Sequence, residues 1–162
     1  MRFLRFIEAI DAPILTESMS QYEAAETIAR DEDLFDAVAT YTTWPDIFDD
    51  EPEQLKKLLA VLANTKPVKM RLYRGENAYE YNNYQPYPDH HQGFTSWTLS
   101  EEVMKKWFLD GHEKMAKYTD GPVQAVSISD IADARMRHAP GESHYGSQQA
   151  EYLVLEPVER LV

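Results

Sequence analysis

The chain has 162 residues, 43% hydrophobic and 27% charged, with 28 acidic side chains against 16 lysines and arginines for a formal net charge of −12. This is the composition of a globular protein long enough to bury a core in one domain, not of a disordered or collagen-like chain. The absence of cysteine excludes disulfides, thiolate metal sites and a cysteine nucleophile, and so acidic a surface disfavours general nucleic-acid binding because it repels phosphate backbones at long range.

Met1 to Ser18 starts basic and apolar but lacks the apolar core and small-residue cleavage site of a secretory signal. No apolar run approaches the roughly 18 residues of a membrane span. From Ser18 or Ser20 the spacing predicts a helix to about Arg30, with Tyr22, Ala25, Ile28 and Ala29 on one face. A second helix is expected over Glu32–Thr40, presenting Leu34, Phe35, Val38 and Ala39, until Trp44-Pro45 breaks it. Glu51-Pro52-Glu53 opens a third, with Leu55, Leu58, Leu59 and Leu62 as its apolar stripe, and Asn64 to Pro67 ends it.

Beyond Pro67 the period changes to two. Val68 to Arg74 alternates as a strand, and Glu76 to Gln92 reads as a polar, tyrosine-rich loop long enough to be functional. Phe94–Ser96 is expected as a short strand. Thr98-Leu99-Ser100-Glu101 has the form of a capping box for a helix carrying Val103, Met104, Trp107 and Phe108. Val123–Ile128 predicts a strand, Ser129–Ala134 a turn of helix, Pro140–Gln148 a loop, and Ala150–Leu155 the last strand. Helices followed by strands with one inserted helix make an α+β domain, mainly helical over 1–66 and strand-rich over 67–162.

Three polar stations stand at the edges of the apolar strands: Arg74 in Leu72-Tyr73-Arg74-Gly75, the hydroxyls of Gly93-Phe94-Thr95-Ser96-Trp97-Thr98, and Gln149-Ala150-Glu151. An arginine fork suits a diphosphate, paired hydroxyls orient neighbouring groups, and a carboxylate stabilises a developing cation. Each also has a plain structural use: a strand-end arginine, a helix-capping Thr98, and Trp107 and Phe108 as core at helical spacing. Other chemistry finds less support. His112-Glu113-Lys114-Met115-Ala116 begins like a zinc-protease helix but has Ala116 where the second histidine belongs. His90-His91 lacks ligand partners nearby, and Asp46, Asp49 and Asp50 lack calcium-loop spacing, so no metal is expected.

In order, these stations resemble the arginine–serine–glutamate branch of the mono-ADP-ribosyltransferases, which includes bacterial toxins and tailed-phage effectors. The resemblance runs from Leu72 to Leu155. It implies an α+β fold with a split β-sheet core behind an N-terminal helical region, NAD as substrate, and transfer of ADP-ribose to a macromolecular acceptor, in the first instance a host protein, with release of nicotinamide. Arg74 and Gly75 would meet the diphosphate or its ribose, Thr95, Ser96 and Thr98 would line the cofactor site with Phe108 at the nicotinamide, and Ser96 would orient Glu151. Glu151 would stabilise the oxocarbenium-like transition state, Gln149 would hold the incoming nucleophile, and Tyr145 would recognise the acceptor. The chain departs from the family's Ser-Thr-Ser motif at Trp97 and Thr98. Glutamine at position 149 goes, in that family, with asparagine or guanine acceptors rather than arginine.

The leader is similar to those of internal head proteins of large tailed phages, cut after a Leu-x-Glu triplet such as Leu15-Thr16-Glu17, and an ordinary helix packed on the domain is the alternative. A cytoplasmic site of action, the host cytoplasm for a phage effector, or packaging in a virion follows from the resemblance. A NAD glycohydrolase, a catalytically inactive binding module acting through its acidic face, and a packaged structural protein remain open as other readings. Arg74 is expected to matter for NAD and little for stability, as a charged strand-end residue.

Overall fold

Ser20 starts the first helix, its hydroxyl accepting from the Glu23 amide at 3.0 Å while the Glu23 carboxylate accepts from the Ser20 amide at 2.8 Å. The computed structural model describes residues 18–77, 93–108, 114–141 and 150–162, without the side chains of 77, 107, 108, 114 and 115. Helix α1 (Gln21–Arg30) is followed by α2 (Glu32–Tyr41), capped by Asp31, then by the single turn α3 (Ile47–Asp50) and by α4 (Pro52–Ala63). The helical faces are close to those the spacing predicts, with one exception. Tyr22 is exposed rather than buried and lies under the Arg137 guanidinium, 5.3 Å from it.

Where the alternation predicts one strand over Val68–Arg74, the chain makes two: β1 (Val68–Lys69) and β2 (Leu72–Asn77). Strand β3 (Phe94–Thr98) leads to α5 (Glu101–Val103), which runs on as a π-helical segment over Met104–Phe108. Ser100, not Thr98, caps α5, accepting from the Val103 amide at 3.1 Å, while Thr98 Oγ1 accepts from the Ser100 amide at 3.1 Å. Strand β4 (Lys114–Thr119), which the pattern does not predict, occupies the stretch that begins like a zinc-protease helix. The expected strand over Val123–Ile128 is broken into β5 (Pro122–Val123) and β6 (Ala125–Ser127). Between them Gln124 donates its side-chain amide to the carbonyls of Ala63 and Thr65. Helix α6 (Ile128–His138) is longer than the predicted turn, and β7 (Glu151–Leu155) is the last strand.

β1 and β5 form a two-stranded sheet, and the main sheet has the order β4-β2-β3-β7-β6, with every pair antiparallel. The architecture is therefore α+β. β2 runs against β4 from Leu72 opposite Thr119 to Asn77 opposite Lys114, and β3 against β7 from Phe94 opposite Leu155 to Thr98 opposite Glu151. Between β2 and β3, among the described residues, the register holds at one pair, Tyr73 opposite Thr98. The two strands part beyond it.

On one side of the main sheet, Phe94, Val126 and Leu153 pack against Ile28, Leu34, Leu58, Leu62 and Ile131 of the helices. On the other, Leu72, Trp97, Ala125 and Val154 pack with Val123 of β5 and Val158. Val158 belongs to the tail after β7, which crosses the sheet until Leu161 exchanges both main-chain hydrogen bonds with Tyr118 of β4. Gly93, at φ +93°, opens β3 beside Leu59. A Cβ there would lie 3.1 Å from the Leu59 side chain in a backbone conformation that other residues rarely adopt.

Phe94 is fully buried, its ring centroid 5.1 Å from that of Tyr41 and 5.7 Å from that of Phe48. Its removal takes away both transfer energy and aromatic contacts and leaves a cavity. Phe94→Ala is expected to cost about 3–5 kcal/mol in urea unfolding. A loss under about 1 kcal/mol would mean that this aromatic cluster does not join the helices to the sheet.

Candidate active site

Residues two apart on a strand share a face, so β3 divides its five side chains between two environments. Phe94, Ser96 and Thr98 turn to the helical side, and Thr95 and Trp97 to the other. Glu151 opens β7 opposite Thr98, with Ser96 diagonally across, and its carboxylate accepts a hydrogen bond from the Ser96 hydroxyl. Ser96 Oγ lies 3.0 Å from the hydroxyl of Tyr41, the last residue of α2. The chain enters β7 through Ala150 in a left-handed conformation, φ 51°, whose carbonyl accepts from the Leu99 amide at 3.3 Å. Burial pushes the Glu151 carboxyl above its ordinary value, and the Ser96 hydrogen bond pulls the other way. The result is a half-buried carboxylate beside a hydroxyl, an arrangement able to stabilise a developing positive charge. Gly75, by alternation on β2, faces the same side as Ser96 and adds no side chain there.

Arg74 is placed elsewhere. Its Nε donates to Glu76 Oε2 at 2.8 Å and its Nη1 to the Ser96 carbonyl at 2.9 Å, and its side chain is 11% exposed. Glu76 is almost fully buried and also accepts from Lys117 Nζ at 3.1 Å and from Arg160 Nε at 2.9 Å. Arg160 lies over the Trp97 ring, 5.5 Å from its centroid, so this network belongs to the Trp97 side of the sheet. Arg160 further donates to Glu156, which also accepts from Thr95 Oγ1 at 2.6 Å, and Thr95 Oγ1 in turn accepts from Trp97 Nε1 at 2.8 Å. The guanidinium of Arg74 thus fills the gap where β2 and β3 part and bonds a main-chain carbonyl in place of a ladder partner.

Of the residues singled out in the sequence, the structure brings together Ser96, Thr98 and Glu151. It puts Arg74 and Thr95 in the ion-paired network behind them. The expectation that Arg74 is a strand-end residue of little weight in stability gives way to a buried, bonded one, and the hydroxyl of Thr95 points away from Glu151. The side chains of Trp107 and Phe108 lie outside the described residues, as do Tyr145, Gln149, His90, His91 and His112. Among the described residues no group of three or more histidine or acidic side chains is placed to hold a metal ion. Tyr41 is the site residue the pattern misses. It follows Leu34 by seven and Val38 by three, on the buried stripe of α2, and a buried tyrosine hydroxyl needs a partner.

Two outcomes follow for stability. Arg74→Ala should cost about 2–3 kcal/mol, the loss of hydrogen bonds to a charged group. Arg74→Lys should recover less than half, since one ammonium does not reproduce a fork spanning Glu76 and the Ser96 carbonyl. Urea unfolding checks both, and an alanine variant within about 0.5 kcal/mol of wild type would return Arg74 to the surface. Glu151 works in the opposite sense. Because its folded value is raised, the folded state holds more protons than the unfolded one above pH 4.5, so its contribution to stability falls as pH rises through that window. Glu151→Gln removes the effect. Its melting temperature should equal or exceed wild type at neutral pH, with the gap closing below the ordinary carboxyl value, and a lower melting temperature at neutral pH would contradict the raised value.

No family model matches the chain, and no curated protein matches it. Among solved structures it is similar to the crystal structure of the ADP-ribosyltransferase Vis in complex with the M6 inhibitor, at 18% identity and a TM-score of 0.33, over 83% of this chain and 61% of that one.

Proposed function

We propose that the protein transfers ADP-ribose from NAD to a macromolecular acceptor and releases nicotinamide. One observation carries this reading: a half-buried carboxylate, Glu151, bonded by the Ser96 hydroxyl of the neighbouring strand. Breaking the bond between C1′ of the ribose and nicotinamide leaves positive charge on the sugar, as in glycoside hydrolysis. A carboxylate at the ribose 2′-hydroxyl holds that charge more strongly in the transition state than in the ground state, which is what lowers the barrier. Nicotinamide departs as a neutral molecule, so the site needs no strong general acid. The acceptor nucleophile then forms the new bond to C1′ and releases its proton.

In this reading Ser96 fixes the carboxylate, and Gly75 and Thr98 lie on the side from which NAD approaches. Arg74 serves the site from behind, by holding the Ser96 main chain where β2 and β3 separate. Gln149 positions the nucleophile and Tyr145 the acceptor surface. The glutamine favours an asparagine side chain or a guanine base over arginine, and a host protein is the first acceptor to test.

Incubation with labelled NAD and a bacterial lysate separates the outcomes. Labelled protein or nucleic acid supports transfer, free ADP-ribose alone supports a glycohydrolase, and intact NAD removes the enzymatic reading. Glu151→Gln should lower nicotinamide release by roughly 10²-fold or more. Gln149→Ala should abolish labelling of the acceptor while slow hydrolysis continues, because orientation of the nucleophile is lost and charge stabilisation is not. Wild-type labelling by Gln149→Ala would remove its positioning role.

A further inference from the structure

We propose that Tyr41 is a positioning residue for Glu151, its hydroxyl donating to Ser96 and thereby committing the one Ser96 proton to the carboxylate. The inference deepens the reading above and rests on Glu151 being the charge-stabilising group. The argument is one of donors. A serine hydroxyl has a single proton, and an ionised carboxylate only accepts. Ser96 stands diagonally across from Glu151 on one face of the sheet, so with its proton turned to that carboxyl the oxygen that lies 3.0 Å away on Tyr41 takes the complementary role and donates to Ser96. The direction of the relay is therefore fixed: from helix α2 through β3 to the first residue of β7. Among the described residues, α2 contributes Tyr41 to this face, β3 contributes Ser96 and Thr98, β2 contributes Tyr73 opposite Thr98, and β7 contributes Glu151 itself.

Packing holds the relay in register. Tyr41 is 5% exposed, with its ring against Phe94 and Phe48, and those contacts need only the ring. The hydroxyl is the part that a phenylalanine would not replace. Without it, the Ser96 oxygen loses a donor and its proton is no longer directed to Glu151, so the carboxylate loses orientation as well as hydrogen-bond strength.

Tyr41→Phe keeps the ring and should keep the melting temperature within about 4 °C of wild type, a shift worth roughly 1 kcal/mol or less. We expect kcat for nicotinamide release to fall about tenfold, the loss of one hydrogen bond to a charged group, with KM for NAD within about twofold. Ser96→Ala breaks the relay at its centre, so Tyr41→Phe added to Ser96→Ala should have no further effect. Wild-type kcat in Tyr41→Phe, or losses that multiply in the double variant, would overturn the relay. A second readout does not need turnover. The ¹³C resonance of the Glu151 carboxyl is followed against pH, and its midpoint should rise in Tyr41→Phe and move no further when the change is made in Ser96→Ala. If the wild type leaves NAD intact but the midpoint behaves so, the relay stands and the function reading fails. An unmoved midpoint overturns the relay whatever the activity.

Discussion

The two-residue period of one central strand governs this structure. Along β3, Phe94, Ser96 and Thr98 meet the helices, and Thr95 and Trp97 meet the charged layer beneath the tail. A slip of one residue would exchange the two sets, sending the Ser96 hydroxyl into the ion pairs and the Trp97 indole among the helices. The register against β7, with Thr98 opposite Glu151, fixes the carboxylate as well. Candidate chemistry and structural electrostatics are thereby separated by the thickness of a single strand.

That separation lets each side answer a different demand. On the Trp97 side, Glu76 gathers three cations, from Arg74, Lys117 and Arg160. Buried ions of this kind are costly unless each finds partners, and here the partners come from β2, β4 and the tail, so the network ties the tail to the paired strands beneath it. On the Ser96 side, burial raises the Glu151 carboxyl. A group held at a cost to the fold is what the proposed reaction would call for, and the helical cluster behind Tyr41 would make that cost tolerable.

What was legible in the sequence follows the same division. Helices α1, α2 and α4 announced themselves because apolar spacing, caps and Pro52 agree, β7 because its residues are mostly apolar, and β3 because aromatic and β-branched residues dominate it. β4 did not, since Lys114-Met115-Ala116-Lys117-Tyr118-Thr119 puts a lysine where the pattern reads solvent. Lys117 is buried only because Glu76 lies in the neighbouring strand, a fact of tertiary pairing that no local period contains. The same limit applies to Arg74. Its motif was visible, but which face of the sheet its fork occupies depends on the divergence of β2 from β3. The partnership of Ser96 with Glu151 was suggested by a family resemblance, and that with Tyr41 needed the fold.

The inward placement of positive charge changes how the exterior meets its partners. Arg74, Lys117 and Arg160, together with Arg135, which donates to the Ala29 carbonyl and lies over Phe35, are turned into the molecule. The formal charge of −12 still leaves the chain acidic on balance. An anionic dinucleotide gains no long-range steering toward such a surface, and its recognition must come from short-range hydrogen bonds once it has arrived. Salt then acts in the direction opposite to that seen with basic nucleotide-binding proteins: by screening repulsion, it favours the encounter. For the proposed reaction, the acidic exterior and the half-buried carboxylate would make one demand on a ligand, that it bring a centre able to become positive to a site it approaches without electrostatic help.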